Sequence, residues 1–280
     1  MRFATVLIAL AAGAIALAAQ AASPQIASTL TVVSTGPAVK MATEQLILHS
    51  AALNRDVVIE VTKPFAPPTT PGQKFPAVYA LDGGYDFAGQ EGWLLGGAGR
   101  IAGAYMVTVG DKPADYGKRE TDLTSLPVTR KGHTQPGGSD SYRRFLLEEL
   151  KPFIEARYPV DPGRAVLVGH SLGGSFALAL LADRPGAFSG YVVGSPGIWN
   201  EANLPGRVAA AKGGGARIFI AAGGRETARI VDSFAQLTAA LGRNTSLKVR
   251  SQIFPDSTHV GYYPELIAQG LAFVLPPSGS

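Results

Sequence analysis

Gly169-His170-Ser171-Leu172-Gly173 is the segment in which residue types and spacing first specify chemistry. It fits the pattern G-x-S-x-G. The apolar run Ala165–Gly169 reads as a strand before it, and Leu172–Ala182 reads as a helix after it. In that context the serine sits on a strand-to-helix turn so tight that its backbone is strained. Only small residues two positions to either side let the helix pack that close to the strand. Gly169 and Gly173 supply the clearance, and Gly174 adds to it. The turn lifts the Ser171 hydroxyl clear of the sheet. It also aims the Leu172 amide, at the helix start, toward the oxygen of a bound carbonyl. The chemistry this arrangement serves is acyl transfer through a serine nucleophile.

A serine hydroxyl at its ordinary pKa is a poor nucleophile and needs a base. Of the four histidines, His170 lies inside the turn, directed away from the Ser171 hydroxyl, and reads as structural. His49 falls in an N-terminal hairpin and His133 in a loop ahead of the motif. His259, in "FPDSTHVGYYPE", alone fits the chain order nucleophile, acid, histidine. The acid is expected past the strand before the one leading to His259. Glu226 stands just beyond that strand in "ARIFIAAGGRET", and Asp232 follows inside the next helix. Both also suit ordinary carboxylates at a helix start. Without a third member, a Ser-His dyad would still function with a weaker orienter. The second oxyanion amide is expected from "LDGGYDF", where Gly83 and Gly84 let backbone amides approach a ligand. Tyr85 and Phe87 in the same loop could line an acyl or leaving-group pocket.

The elements that must carry these residues are short and apolar. Strands are expected at Ala77–Leu81, Gly103–Gly110, Ala165–Gly169, Gly190–Gly197, Ala216–Gly224 and Leu247–Pro255. Between them lie helix patterns at Ser139–Arg157, Leu172–Ala182, Ala228–Leu241 and Glu265–Leu275, with a kink or break expected at Pro152. Strands alternating with helices predict an α/β fold with a mostly parallel sheet and helices on both faces. Upstream, "EQLILHSAAL" and "RDVVIEVTKP" predict an antiparallel hairpin at the sheet edge. No internal repeat or long charge run divides the chain, and the Pro/Thr-rich loop "KPFAPPTTPGQK" is too short to separate domains.

The first 21 residues, with Arg2, an apolar stretch and Ala19-Gln20-Ala21, read as a secretory signal peptide, the alternative being a retained membrane anchor. Residues 22–43 then read as a poorly ordered extension and 44–276 as one domain, periplasmic or secreted and not stably inserted in a membrane. The chain has no cysteine, which excludes disulfides, thiolate metal sites and a cysteine nucleophile. Hydrophobic residues at 46% and charged ones at 16% exclude a disordered chain. A net charge of +4 without an Arg/Lys stripe gives no argument for nucleic acid.

The segments "VYALDGG", "TDLTSLP", "GGSDSYRRFLLEELKPFIEARYPVDPGRAVLVGHSLGGSFAL", "VVGSPGIWN", "AAGGRET" and "FPDSTHVGYYPELIAQGLAFVL" occur in this order. Together they resemble the putative-esterase (esterase D type) family of α/β hydrolases, most of all its periplasmic siderophore-trilactone esterases. The resemblance implies the α/β-hydrolase fold, Ser171 as nucleophile and His259 as base. It implies Leu172 and the Asp82-Gly83-Gly84 turn as oxyanion hole. In that branch the acid can be missing. The cations Lys118, Arg119, Arg130 and Lys131 near "TDLTSLP" could meet an anionic catecholate, although Asp111, Asp115, Glu120 and Asp122 nearly offset them. Trp93 and Trp199 are candidate substrate walls. "LDGGYDF" is glycine-rich where related sequences often carry a larger residue. The reading is an exported serine esterase acting through an acyl-enzyme on a small-molecule ester, with the trilactone of a catecholate siderophore as substrate and no metal or organic cofactor needed. The alternatives are a general carboxylesterase, thioesterase or acyl transferase, or a non-catalytic binding protein of the same fold.

Overall fold

The computed structural model describes residues 28–37, 43–64, 67–83, 103–111, 118–130, 132–199, 201 and 203–276. Along the chain come β1 (Thr31–Pro37), β2 (Thr43–Ser50), β3 (Arg55–Thr62), β4 (Phe75–Ala80) and β5 (Tyr105–Asp111). A short helix α1 (Arg119–Asp122) and a small hairpin of β6 (Val128–Arg130) and β7 (His133–Gln135) follow. Then come α2 (Ser139–Arg144), α3 (Lys151–Arg157), β8 (Val160–His170), α4 (Leu172–Asp183) and β9 (Gly190–Gly194). The chain continues through α5 (Leu204–Ala210), β10 (Arg217–Gly223), α6 (Ala228–Gly242), β11 (Lys248–Phe254) and α7 (Tyr263–Val274).

Nine strands form one sheet in the order β1-β2-β3-β5-β4-β8-β9-β10-β11. The pairs from β5 to β11 are parallel, and β1, β2 and β3 run antiparallel at one edge. This is the α/β-hydrolase architecture. Successive side chains of a strand point to opposite faces, so each central strand feeds two cores. Ala77, Tyr79, Ala165, Leu167, Ile218 and Ile220 pack on the face covered by α2 to α6. Val78, Ala80, Val166, Val168, Phe219 and Ala221 pack on the other, under α7. Burial on both faces explains why these strands are continuous apolar runs rather than alternating ones.

Two local features differ from expectation. The antiparallel edge has three strands, because Thr31–Pro37, within the extension expected to be poorly ordered, pairs with β2. The side chains of residues 31–35 are exposed, so backbone pairing rather than burial recruits the strand, and no hydrophobic pattern announces it. The second is the helix expected over Ser139–Arg157. A π-helical segment, Phe145–Leu150, separates its two α-helical parts, and Pro152 stands in the first turn of α3. Proline has no N–H to return to the preceding turn, and here it stands just after the widened turn. The π segment also presents Glu149 inward. Its buried carboxylate accepts hydrogen bonds from Thr29 Oγ1, Ser50 Oγ and the Ala52 N–H. The carboxylate thereby ties the chain before β1 and the β2–β3 turn to the helix.

Candidate active site

β8 ends at His170 and α4 begins at Leu172, so Ser171 alone makes the turn between them. It does so at φ +57°, ψ −119°, conformations costly to any residue with a Cβ. Two backbone hydrogen bonds hold it there: its N–H donates to Gly194 O at 2.8 Å, and its carbonyl accepts the Ser175 N–H at 3.0 Å. Gly169 is required by contact. A Cβ on Gly169 would lie 2.2 Å from Gly173 O. Ser175 also fixes the loop after β9, donating to Gly197 O at 2.7 Å and accepting the Gly197 N–H at 2.9 Å. Leu172, as the first helical residue, has no carbonyl in its own helix for its N–H.

Glu226 follows β10 and His259 follows β11, which are parallel neighbours, so their C-terminal loops meet. His259 Nδ1 lies 2.6 Å from Glu226 Oε2. The Glu226 side chain is fully buried, and its Oε1 accepts the Ser195 hydroxyl at 2.5 Å and the Gly223 N–H at 2.8 Å. Burial pushes this carboxyl up, but hydrogen bonds from His259, Ser195 and Gly223 together outweigh it and hold it below the usual value. An ionised Glu226 can only accept, so Nδ1 of His259 carries the proton and Nε2 presents its lone pair. The imidazole is therefore in the tautomer that can take a proton from a hydroxyl. Asp232, the other acid considered from sequence, is exposed on α6.

His170 is buried behind this pair. Its ring centroid lies 4.7 Å from that of His259, 6.0 Å from Tyr262 and 5.8 Å from Tyr263. Burial, and the charge His259 would carry, drive its pKa down to about 3, so it is neutral at any working pH. It is a wedge between the serine turn and the His259 loop.

Other expectations are corrected. The Gly83 N–H, expected to face an oxyanion, donates instead to Val109 O at 2.8 Å. A Cβ on Gly83 would lie 2.3 Å from Thr108 Cγ2, so this glycine serves the close approach of the turn to β5. Arg119, expected to meet substrate, forms a two-pronged pair with Asp82: Nε to Oδ1 at 2.5 Å and Nη2 to Oδ2 at 2.9 Å. Nη2 also reaches His170 O at 3.3 Å. Asp82 itself stands at φ +68° with its side chain 3% exposed. The pair thus clamps the turn after β4 to the end of β8, and the arginine charge is spent on a carboxylate. Lys118 lines a cavity of about 410 Å³ with Arg55, Thr121, Asp122 and Ser141. The Trp199 ring covers Gly197, and the Arg229 guanidinium stacks on it at 4.5 Å from the ring centroid. Gly84, Tyr85, Phe87, Trp93, Asp115, Lys131 and residues 1–21 lie outside the described residues, as does the Arg130 side chain.

Sequence reasoning missed Ser195, Tyr262 and Arg229. For Ser195 a signal existed in "VVGSPG", a serine directly at the end of a strand, but one hydroxyl in a turn carries no spacing of its own.

Residues 50–269 match the putative-esterase family. The chain belongs to that family. Among its relatives is the ferri-bacillibactin esterase BesA of Bacillus subtilis, 31% identical over 269 residues that cover 85% of this chain and 91% of the relative. The siderophore triacetylfusarinine C esterase of Aspergillus fumigatus is 36% identical over 132 residues, 44% of each chain. Among solved structures, the BES protein from Bacillus cereus superposes with a TM-score of 0.73 at 28% identity, covering 87% of this chain and 98% of that one. The enterobactin and salmochelin hydrolase IroE shares the fold, with a TM-score of 0.63 at 22% identity over 82% of this chain and 96% of its own. The esterase-family region runs from the end of β2 into α7 and so contains every residue of the site described above. Among the described residues no helix is long and apolar enough to cross a membrane.

Proposed function

We propose that this esterase-family protein is a serine esterase whose Ser171, His259 and Glu226 act as a triad on siderophore esters. The observation that carries the reading is the buried Glu226 carboxylate, 2.6 Å from His259 Nδ1, beside a serine turn held at positive φ. In the reaction, His259 Nε2 takes the Ser171 proton as the hydroxyl oxygen attacks the ester carbonyl. The oxyanion forms against the Leu172 N–H and an amide of the turn after Gly83, for which Gly84 is the candidate. Glu226 stabilises the imidazolium. His259 returns the proton to the leaving alcohol, and an acyl-enzyme remains on Ser171. Water, activated by the same imidazole, releases the acid. The relatives named for ferri-bacillibactin, triacetylfusarinine C and enterobactin support a siderophore ester as substrate. Among the described residues, Arg229 on Trp199 forms a cation–aromatic surface suited to an anionic aromatic arm.

Ser171→Ala is the decisive variant. Turnover of p-nitrophenyl esters should fall by several orders of magnitude, and a fluorophosphonate probe should no longer label the protein. Undiminished turnover would sink the triad. Comparing a catecholate trilactone with simple p-nitrophenyl esters tests the substrate. A kcat/KM no higher for the trilactone favours the general carboxylesterase reading. Export is proposed from the leader pattern, with 44–276 as one domain. A mature N-terminus near Ala21 in the extracytoplasmic fraction is the expected result.

A further inference from the structure

We infer that the Ser195 hydroxyl is a positioning group for the acid–histidine pair, oriented by Tyr262 so that its one proton goes to Glu226. Proton counting fixes the direction. Ser195 Oγ contacts both Glu226 Oε1 and the Tyr262 hydroxyl. An ionised carboxylate has no proton to give, so Ser195 donates to Glu226. Its proton is then used, and the Tyr262 hydroxyl must donate to Ser195. The Tyr262 contact to Ala221 O, at 3.2 Å, is the longer branch of that donor. Burial pushes the Tyr262 phenol well above its ordinary pKa, so the donor stays loaded wherever the enzyme works. The chain Tyr262 to Ser195 to Glu226 to His259 therefore runs one way and ends on the imidazole.

The backbone supports the same assignment independently. Ser195 stands at φ +42°, a region where glycine is cheaper. The strain is held by its own N–H donating to Ala221 O at 2.8 Å. A side chain kept at such a position points to use of its hydroxyl. With Gly223 on the same oxygen, Ser195 fixes the plane of the carboxylate and hence the direction in which Oε2 meets His259.

The inference rests on the proposed roles of Glu226 and His259. The other titratable or charged groups around the pair are His170, Tyr262 and Arg119, which reaches His170 O. Changing Ser195 removes none of them. Losing its hydrogen bond leaves the carboxylate more basic and strengthens its hold on the imidazolium. The proton NMR signal of the His259 Nδ1–H, which reads its hydrogen bond to Oε2, should then move in Ser195→Ala and Ser195→Gly. The test is that signal in the full chain, together with kcat and KM. Alongside the moved signal, kcat should fall roughly tenfold with little change in KM. In a Glu226→Gln background the same substitutions should have less than about a twofold effect. Ser195→Gly also relieves the backbone, so it keeps the test sound if Ser195→Ala folds poorly. An unmoved His259 Nδ1–H signal, an undiminished kcat in Ser195→Gly, or an equal loss in the Glu226→Gln background would overturn the inference. The NMR signal reads the pair without turnover. Fluorophosphonate labelling at Ser171 of the wild type separately reports whether the triad reading stands.

Discussion

Placing a proton on His170 means creating a charge inside the fold, where the ring is 2% exposed and packed against His259, Tyr262 and Tyr263. Its folded pKa of about 3 lies below the 6.5 expected once the chain unfolds. The folded state therefore binds this proton less readily than the unfolded one. The stability it contributes is complete above pH 6.5 and is lost as the pH falls toward 3. The full gap corresponds to about 5 kcal/mol, a large share of the stability of an ordinary domain. At pH 5 the part already lost is about 2 kcal/mol. The perturbation is His170→Phe, which keeps a flat ring and removes the titration. Urea unfolding of both proteins at pH 8 and pH 5 gives the readout. Whatever the substitution costs at pH 8, the wild type should lose about 2 kcal/mol more than the variant on moving to pH 5. Every other residue is common to both proteins. Equal losses within about 0.5 kcal/mol would refute a neutral, buried His170.

Glu226→Gln should lower kcat by about a hundredfold to ten-thousandfold at neutral pH, read with a p-nitrophenyl ester, because the amide cannot hold the same imidazole tautomer. Gly169→Ala places a methyl 2.2 Å from Gly173 O. It should cost about 3 kcal/mol or more in chemical denaturation, since backbone rather than a movable side chain stands in the way. Arg119→Met should cost about 3 kcal/mol by taking the guanidinium away from the buried Asp82 carboxylate, and adding Asp82→Asn should recover most of it. A double-mutant cycle of unfolding free energies measures that coupling.

The parts of the site legible in sequence are those tied to chain order and to steric necessity. Ser171 was marked by glycines that the turn requires, and His259 by following the last strand. In sequence Glu226 and Asp232 both follow β10, and the parallel pairing of β10 with β11 is what brings the nearer of them, Glu226, to His259. The pairing of Arg119 with Asp82 is not legible because a positive charge in sequence carries no record of its partner. Asp82 is 37 positions away, and only the fold brings them together. Gly83 was misjudged for a similar reason. A glycine that admits a ligand and a glycine that admits a neighbouring strand look alike until Thr108 and Val109 are in place. β1 escaped because an edge strand held by backbone bonds needs no apolar side. The helix expected at Ser139–Arg157 was legible as a span, and its π segment became visible only in the fold.

β11 lies at the open edge of the sheet, pairs only with β10, and has no buried residue, with Ile253 42% exposed. β8 lies between β4 and β9, with Ala165 to Val168 wholly enclosed. Ser171 and His259, the proposed nucleophile and base, therefore hang from strands of very different local stability. Edge elements open at low free energy without the rest of the molecule following. In mild denaturant, amides of β11 should exchange with solvent while those of β8 remain protected, and turnover should disappear while the far-ultraviolet dichroism is still native. Inactivation and unfolding of this enzyme would then be two events, with the first set by a single strand.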